Sequence, residues 1–240
     1  MKYKVLITTS GTGSRLGELT KNTNKAMVLI NGRPTIKYIF DSYTKDTTFV
    51  ITLGFLGDQV KDFLLKRYPE YNFEFAVVDK YIGDGSSLLY SMLCAKDYLQ
   101  CAFIFHACDT IVTEKIPEPI EDWVIGYVID PATTTMDVKQ YRSHDVKDGY
   151  LAKVNDKGVM KFNSIHIGMT GIYSYQTFWK VVEEMYKNDP TNQALGDVPV
   201  IEKLMDLGVR FKWIPFKNWL DTGNPQALKE TEQFIIKSSL

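Results

Sequence analysis

The sequence has no apolar run near the roughly 18 residues a membrane-spanning helix needs. Its opening segment, Lys2–Thr9, is too short in apolar residues for a secretory signal and reads as a β-strand. Cysteine is scarce. Cys94, Cys101 and Cys108 are odd in number and seven apart, which excludes a Cys-x-x-Cys metal knuckle and a disulfide framework and suits buried thiols in a reducing cytoplasm. An excess of positive charge is also missing. The 28 Lys+Arg against 29 Asp+Glu leave a net charge of −1, without the basic face of a general nucleic-acid binder. Three histidines are scattered along the chain, and there is no Gly-x-Ser-x-Gly string for a nucleophile elbow. Low-complexity tracts, charge blocks and internal repeats are absent.

What is present is an ordinary globular composition, 45% hydrophobic and 24% charged over 240 residues, long enough to bury a full core. The first half alternates β-rich runs (Lys2–Thr9, Thr47–Leu53, Phe73–Val78, Ala102–Ala107) with helical stripes such as Ile36, Ile39, Phe40 and Tyr43. That order predicts a mostly parallel sheet wrapped by helices. The second half predicts strands at Trp123–Ile129, Tyr150–Val154, Val159–Phe162, Ile165–Tyr175 and Val209–Ile214, with a hairpin turn at Asn155-Asp156-Lys157-Gly158. A C-terminal helix is expected from Pro225. The fold class is therefore α/β: a single Rossmann-like domain over 1–240, with a nucleotide-type half over about 1–115 and an antiparallel, acceptor-type lobe with the last helix over about 116–240.

The first strand ends in Ser10-Gly11-Thr12-Gly13-Ser14-Arg15-Leu16. Two glycines let backbone N–H groups gather around an anion, and Arg15 adds a permanently charged fork. A plain strand-to-helix turn would use the same glycines. A dinucleotide fingerprint fails because Leu16 holds the third glycine position, and no P-loop string exists. Lys25, ten residues past Arg15, reads either as a solvated lysine or as a point charge for phosphate. Asp109, just past the Ala102–Ala107 run, reads on its own as a helix cap or an Asx turn.

Three segments together resemble the sugar-phosphate nucleotidyltransferase (NDP-sugar pyrophosphorylase) superfamily. They are Ser10–Leu16 followed by Leu19-Thr20 and Lys25, then Phe103–Thr110, then Trp219-Leu220-Asp221-Thr222-Gly223-Asn224-Pro225. They occur in the family's order and span almost the whole chain. The string Asp79-Lys80-Tyr81 through Ser91 is similar to phosphocholine cytidylyltransferases of the same superfamily. No C-terminal β-helix repeats follow, which implies the short single-domain form.

The resemblance implies a nucleotidyltransferase in which an acceptor phosphate attacks the α-phosphorus of a nucleoside triphosphate, CTP favoured, and pyrophosphate leaves. It implies Mg²⁺ on Asp109 and Asp221, phosphates on Ser10–Arg15, Lys25 between the α-phosphate and acceptor, and Gly85 and Ser86 at the base, where Ser86 also reads as a helix cap. Met169 and Thr170 are acceptor candidates or simply core. The chain departs from the family at Asn24, where a proline usually precedes the lysine, and at Asn163-Ser164-Ile165, where sugar-specific members carry Glu-Lys-Pro. The latter favours a non-sugar acceptor, phosphocholine-like or a phosphorylated amino acid, over a sugar 1-phosphate. A catalytically silent nucleotide-sensing subunit is the reading from another class. Such products feed capsule or surface polysaccharide decoration, and a homo-oligomer is compatible with the family.

Overall fold

The computed structural model describes residues 2–134 and 136–238. In chain order these form β1 (Lys4–Thr8), β2 (Leu29–Ile30), β3 (Arg33–Pro34), α1 (Thr35–Asp41), β4 (Thr48–Leu53), α2 (Gly57–Arg67), β5 (Asn72–Val77), α3 (Leu88–Cys94), β6 (Phe103–His106) and β7 (Thr110–Val112). There follow β8 (Trp123–Tyr127), β9 (Ser143–Lys147), β10 (Tyr150–Asn155), β11 (Ser164–Ile172), α4 (Tyr175–Asn188), α5 (Asp197–Asp206), β12 (Lys212–Phe216), β13 (Trp219–Asp221) and α6 (Pro225–Ser238).

One nine-stranded sheet in the order β5-β4-β1-β6-β11-β8-β12-β10-β9 runs through the molecule. The strands β5, β4, β1 and β6 are mutually parallel, as the alternation in the first half predicts. From β11 onward most pairings are antiparallel, so the second lobe extends the same sheet. The residues Val5–Thr8 are buried on both faces, which is why β1 reads as a continuous apolar run. Val5 and Ile7 face α1 and α2 through Ile36, Ile39, Phe40, Val60 and Leu64. Leu6 faces α3, α4 and α5 through Leu89, Met92, Trp179 and Ile201.

The strand order reverses around β1: β4 and β5 lie on one side and β6 on the other. Such a reversal opens a crevice outside the carboxyl ends of the strands. The turn after β1, the loop after β5 and the residues after β6 all open there.

Two expectations in the second half are corrected. The segment Val159–Phe162 forms no strand, and Val159 and Met160 stand exposed. The hairpin is instead β9–β10, closed by Asp148-Gly149, both with positive φ (52° and 79°). Asp-Gly suits a turn of this kind, because its twist matches that of the strands. The signal stood in the sequence, and the Asn155–Gly158 cluster concealed it. The last large-sheet strand, β12, also lies slightly later than Val209–Ile214. No helix among the described residues is long and apolar enough to cross a membrane.

Candidate active site

The turn after β1 is short and tight. Gly13, at φ 66°, leads into a 3₁₀ segment over Ser14–Thr20, and the Leu16 N–H donates to its carbonyl at 2.9 Å. A Cβ on Gly13 would stand 3.0 Å from Thr20 Cγ2 and 3.1 Å from Lys25 Cβ. Glycine thus lets the loop lie directly against the lysine stem. Asn24, fully buried, explains the missing proline. Its amide donates to the carbonyls of Thr9 and Phe55, both at 2.8 Å, and its Oδ1 caps the turn at Ala26 N. A proline could make none of these bonds, so the asparagine pins Lys25 to the end of β1 by side-chain chemistry.

Asp109 and Asp221 are brought together by a two-stranded sheet that sequence reasoning missed. The strands β7 and β13 pair antiparallel with Thr110 opposite Asp221. Thr222 N–H then donates to the Asp109 carbonyl at 2.9 Å. Three residues per strand is too short for periodicity to register.

Arg15 Nη2 and Lys25 Nζ both approach Asp109 Oδ2, at 3.4 and 3.5 Å. The Arg15 side chain is 69% exposed, and those of Lys25 and Asp109 are each 21% exposed. Burial pushes the Asp109 carboxyl up, but Lys25 and Arg15 outweigh it and hold the group below the usual carboxylate range. Burial pushes Lys25 down, and Asp109 more than restores it, to above the ordinary lysine value. Asp221 behaves oppositely. Burial, then the Asp109 charge, raise its carboxyl, although Tyr141 donates to Oδ2 at 2.7 Å and Gly223 N–H to Oδ1 at 2.8 Å.

A cavity of about 370 Å³ gathers Ser10, Gly11, Arg15, Lys25, Ser86 and Asp109, with Tyr81, Ser91, Cys108 and Gln193 among its other walls. Thr12, Gly13 and Ser14 belong to the same loop but do not line it. Asp221 lines a neighbouring cavity. Gly85 packs against Lys80, Tyr186 and Pro190 instead of the cavity. The cap of α3 is Ser87, which accepts from Tyr90 N at 3.0 Å, whereas Ser86 donates to the Gly83 carbonyl at 2.6 Å. Ser86 is therefore not the helix cap, and its residue stands at the cavity wall. Met169 is fully buried and Thr170 2% exposed; both sit inside β11, in the core, and neither lines the cavity. Sequence reasoning offered both as acceptor contacts; the structure places them in the core, outside the cavity lining. Tyr81 lies in the Asp79–Ser91 string singled out in the sequence, whereas Gln193 and Tyr141 carry no motif that sequence reasoning could have used.

The other titratable groups close by are sealed. The His106 Nε2–H donates to the Thr110 carbonyl at 2.9 Å, and Nδ1 accepts from Tyr43 OH at 2.8 Å. Burial lowers its pKa to about 4. The Cys108 thiol is pushed by burial up to about 11. Neither group supplies a base or thiolate at neutral pH. A stability prediction follows from the histidine. The unfolded chain takes up this proton near pH 6.5 and the folded chain only near 4, so stability falls as pH drops through that interval, by about 3 kcal/mol from His106 alone. His106→Gln should flatten the loss, as read from urea midpoints at pH 7.5 and pH 5. An unchanged slope would contradict the assignment.

The residues present fit a divalent cation. The donors are two carboxylates, the oxygen ligands Mg²⁺ prefers. Glycine at 223 keeps the space between them open, since a Cβ there would lie 3.1 Å from Asp221 Oδ1 and 3.3 Å from both Asp109 Oδ2 and Arg15 Nη2. No group of three or more metal-ligating side chains occurs among the described residues, so such an ion would draw its remaining ligands from substrate and water.

This crevice, sheet order and charge cluster can be set against known proteins. No family model matches the chain. The solved structure of UDP-glucose pyrophosphorylase complexed with UDP-glucose superposes with a TM-score of 0.79 at 16% identity, covering 99% of this chain and 100% of that one. The chain has the nucleotidyltransferase fold. Among curated relatives, the bifunctional protein GlmU of Methanococcus vannielii is 22% identical over 236 residues, 97% of this chain and 55% of that protein. Choline-phosphate cytidylyltransferase of Streptococcus pneumoniae is 29% identical over 106 residues, 43% of this chain and 44% of that one. The chain spans about half the length of GlmU, and the match to the cytidylyltransferase covers under half of either chain. Its homologues and structural neighbours are sugar-phosphate nucleotidyltransferases and choline-phosphate cytidylyltransferase. Of the segments singled out in the sequence, Ser10–Leu16 with Lys25, Asp79–Ser91 and Phe103–Thr110 contribute residues to the cavity, and Trp219–Pro225 contributes to the neighbouring one.

Proposed function

We propose that the protein transfers a nucleoside monophosphate, from CTP by preference, to the phosphate of a small phosphorylated acceptor and releases pyrophosphate. The observation that carries this reading is the convergence of Arg15 and Lys25, from separate segments, on one oxygen of Asp109 at the wall of a single cavity. A nucleoside triphosphate brings close to four negative charges and the acceptor phosphate nearly two. At an effective dielectric of about 20, each like-charge pair 4 Å apart costs about 4 kcal/mol. Such a site needs fixed cations more than it needs a base.

The residues divide the work. Backbone N–H groups of the Ser10–Ser14 turn, whose Ser10 and Gly11 line the cavity, would hold the β and γ phosphates. Arg15, exposed beside the cavity, stabilises the charge gathering on the leaving pyrophosphate. Lys25, packed and held by Asp109, sits between the α-phosphate and the acceptor. The acceptor phosphate is ionised at neutral pH because its second pKa is near 6, so no side chain has to take a proton. An acceptor oxygen forms its bond to the α-phosphorus as the bond to the β-bridging oxygen breaks, and the electron pair leaves with pyrophosphate. Catalysis is positioning and charge stabilisation. Asp109 and Asp221 would hold a Mg²⁺ ion, which when bound neutralises phosphate charge. Ser86, with Tyr81 and Ser91 in the same cavity wall, would contact the base.

The cytidylyl preference is supported by the similarity to the Streptococcus cytidylyltransferase. The acceptor preference is supported at Asn163 and Ser164. Asn163 Oδ1 accepts from Val146 N at 2.8 Å, and Ser164 is buried against His144 and Trp213. Neither residue is itself a carboxylate that could grip sugar hydroxyls, which favours a phosphocholine-like or phospho-amino-acid acceptor. A sugar 1-phosphate is the second reading, favoured by the full-length superposition on a pyrophosphorylase holding UDP-glucose. Either product suits a cytoplasmic enzyme supplying surface polysaccharide.

Pyrophosphate release tests the proposal, with each of the four NTPs against phosphocholine, other small phosphate esters and sugar 1-phosphates. The expected result is release with CTP and a phosphorylated amino alcohol or amino acid. Highest turnover with a sugar 1-phosphate selects the second reading. Silence across the panel contradicts catalysis and points to a nucleotide-sensing subunit.

A further inference from the structure

We infer that Tyr141 is a positioning residue for the divalent-ion site, holding the Asp221 carboxylate in register with Asp109. The inference rests on the reading of those two aspartates given above.

Tyr141 belongs to the segment between β8 and β9, far in sequence from either aspartate. Its hydroxyl donates to Asp221 Oδ2 at 2.7 Å, while Gly223 N–H holds Oδ1 at 2.8 Å. Each carboxylate oxygen thus has one donor, and the group cannot rotate without losing both. The ring itself is fixed. It meets Trp219 edge-on, with centroids 5.1 Å apart at 80°. The Trp219 indole N–H reaches Thr110 Oγ1 at 3.4 Å, and that hydroxyl donates to the Ile167 carbonyl at 2.6 Å. Thr110 is the next residue after Asp109. The contacts therefore close a ring from Asp221 through Tyr141, Trp219 and Thr110 back to Asp109, setting the separation of the two carboxylates. Groups that orient metal ligands in this way commonly carry about 10- to 100-fold in metal affinity.

A purely structural tyrosine would act through its ring. Tyr127 provides the comparison: it packs on the same Trp219 at 5.6 Å, and its hydroxyl makes no bond to Asp221. The test is a Mn²⁺ titration of the full chain without substrate, followed by the electron paramagnetic resonance of free Mn²⁺, on the native protein, Tyr141→Phe, Tyr127→Phe and Asp109→Asn. The assignment expects Tyr141→Phe to bind about 10-fold more weakly with an unchanged melting temperature. Tyr127→Phe should match the native protein, and Asp109→Asn should lose binding. Native affinity in Tyr141→Phe, or an equal loss in Tyr127→Phe, overturns the positioning role. A melting temperature far below native in Tyr141→Phe overturns it in favour of a structural one. Mn²⁺ binding that is absent from the native protein, or intact in Asp109→Asn, overturns instead the metal pair itself, so the two failures are distinguishable.

Discussion

Lys25→Ala lowers nucleotidyl transfer about 10²–10³-fold and leaves the fold intact, the size of effect seen when one fixed donor to a developing charge is removed. The lysine stem is packed against Gly13 and its ammonium lies 3.5 Å from Asp109 Oδ2. Asp109 keeps it charged despite burial. It therefore meets the incoming phosphates already oriented, with little side-chain entropy left to lose. Alanine removes one positive charge from a site that must accept about six negative ones. Lys25→Arg should recover only part of the rate, because a planar fork does not fit the place of a compact ammonium. The measurement is the initial rate of pyrophosphate release at saturating substrates, alongside the melting temperature. Unchanged product formation would remove Lys25 from the mechanism.

Asp109→Asn has an effect at least as large, and Asp221→Asn a smaller one. Asp109 performs two tasks. It is the shared counter-charge that draws Arg15 and Lys25 together before substrate arrives, and it is one of the two candidate carboxylates for the ion. The amide keeps the shape and loses both. Turnover should fall by about 10²–10³ or more. Asp221 touches neither cation within salt-bridge range among the described residues, so its loss removes only the ligand. Because the residues act as a unit, Lys25→Ala/Asp109→Asn should lose less than the sum of the two single changes. The check is kcat for the three single variants and the double one. Full additivity, or an Asp221 effect exceeding that of Asp109, would contradict the division of roles.

What the sequence disclosed follows the range of the forces involved. The parallel half was legible because doubly buried strands such as Val5–Thr8 and stripes such as Ile36–Phe40 carry a strong local pattern. The helix starting at Pro225 was legible for the same reason. Within the cavity, Ser10, Gly11, Arg15, Lys25, Ser86 and Asp109 were found from local strings, since their grouping depends on turns close to strand ends. Two features were not found, and one pair offered from the sequence lies away from the cavity. The β7–β13 pair has three residues per strand and depends on chain segments more than a hundred residues apart. Tyr141 is one tyrosine among many until Trp219 and Asp221 are placed beside it. Met169 and Thr170 lie on a strand that passes the site, but a position inside a sheet does not say which residues a ligand can reach. Asn24 shows the reverse case: an apparent departure from a family pattern became intelligible once its three hydrogen bonds were counted.

The central claim is that an ionised acceptor phosphate attacks the α-phosphorus directly, within a cluster of fixed positive charge and without a protein base. Oxygen labelling tests it most directly. With the acceptor phosphate enriched in ¹⁸O and an unlabelled triphosphate, mass spectrometry of both products shows which bonds formed and broke. The account predicts that the diphosphate product retains all of the acceptor label and that the released pyrophosphate carries none. Label in the pyrophosphate, or nucleoside monophosphate and pyrophosphate released without a joined product, would contradict it.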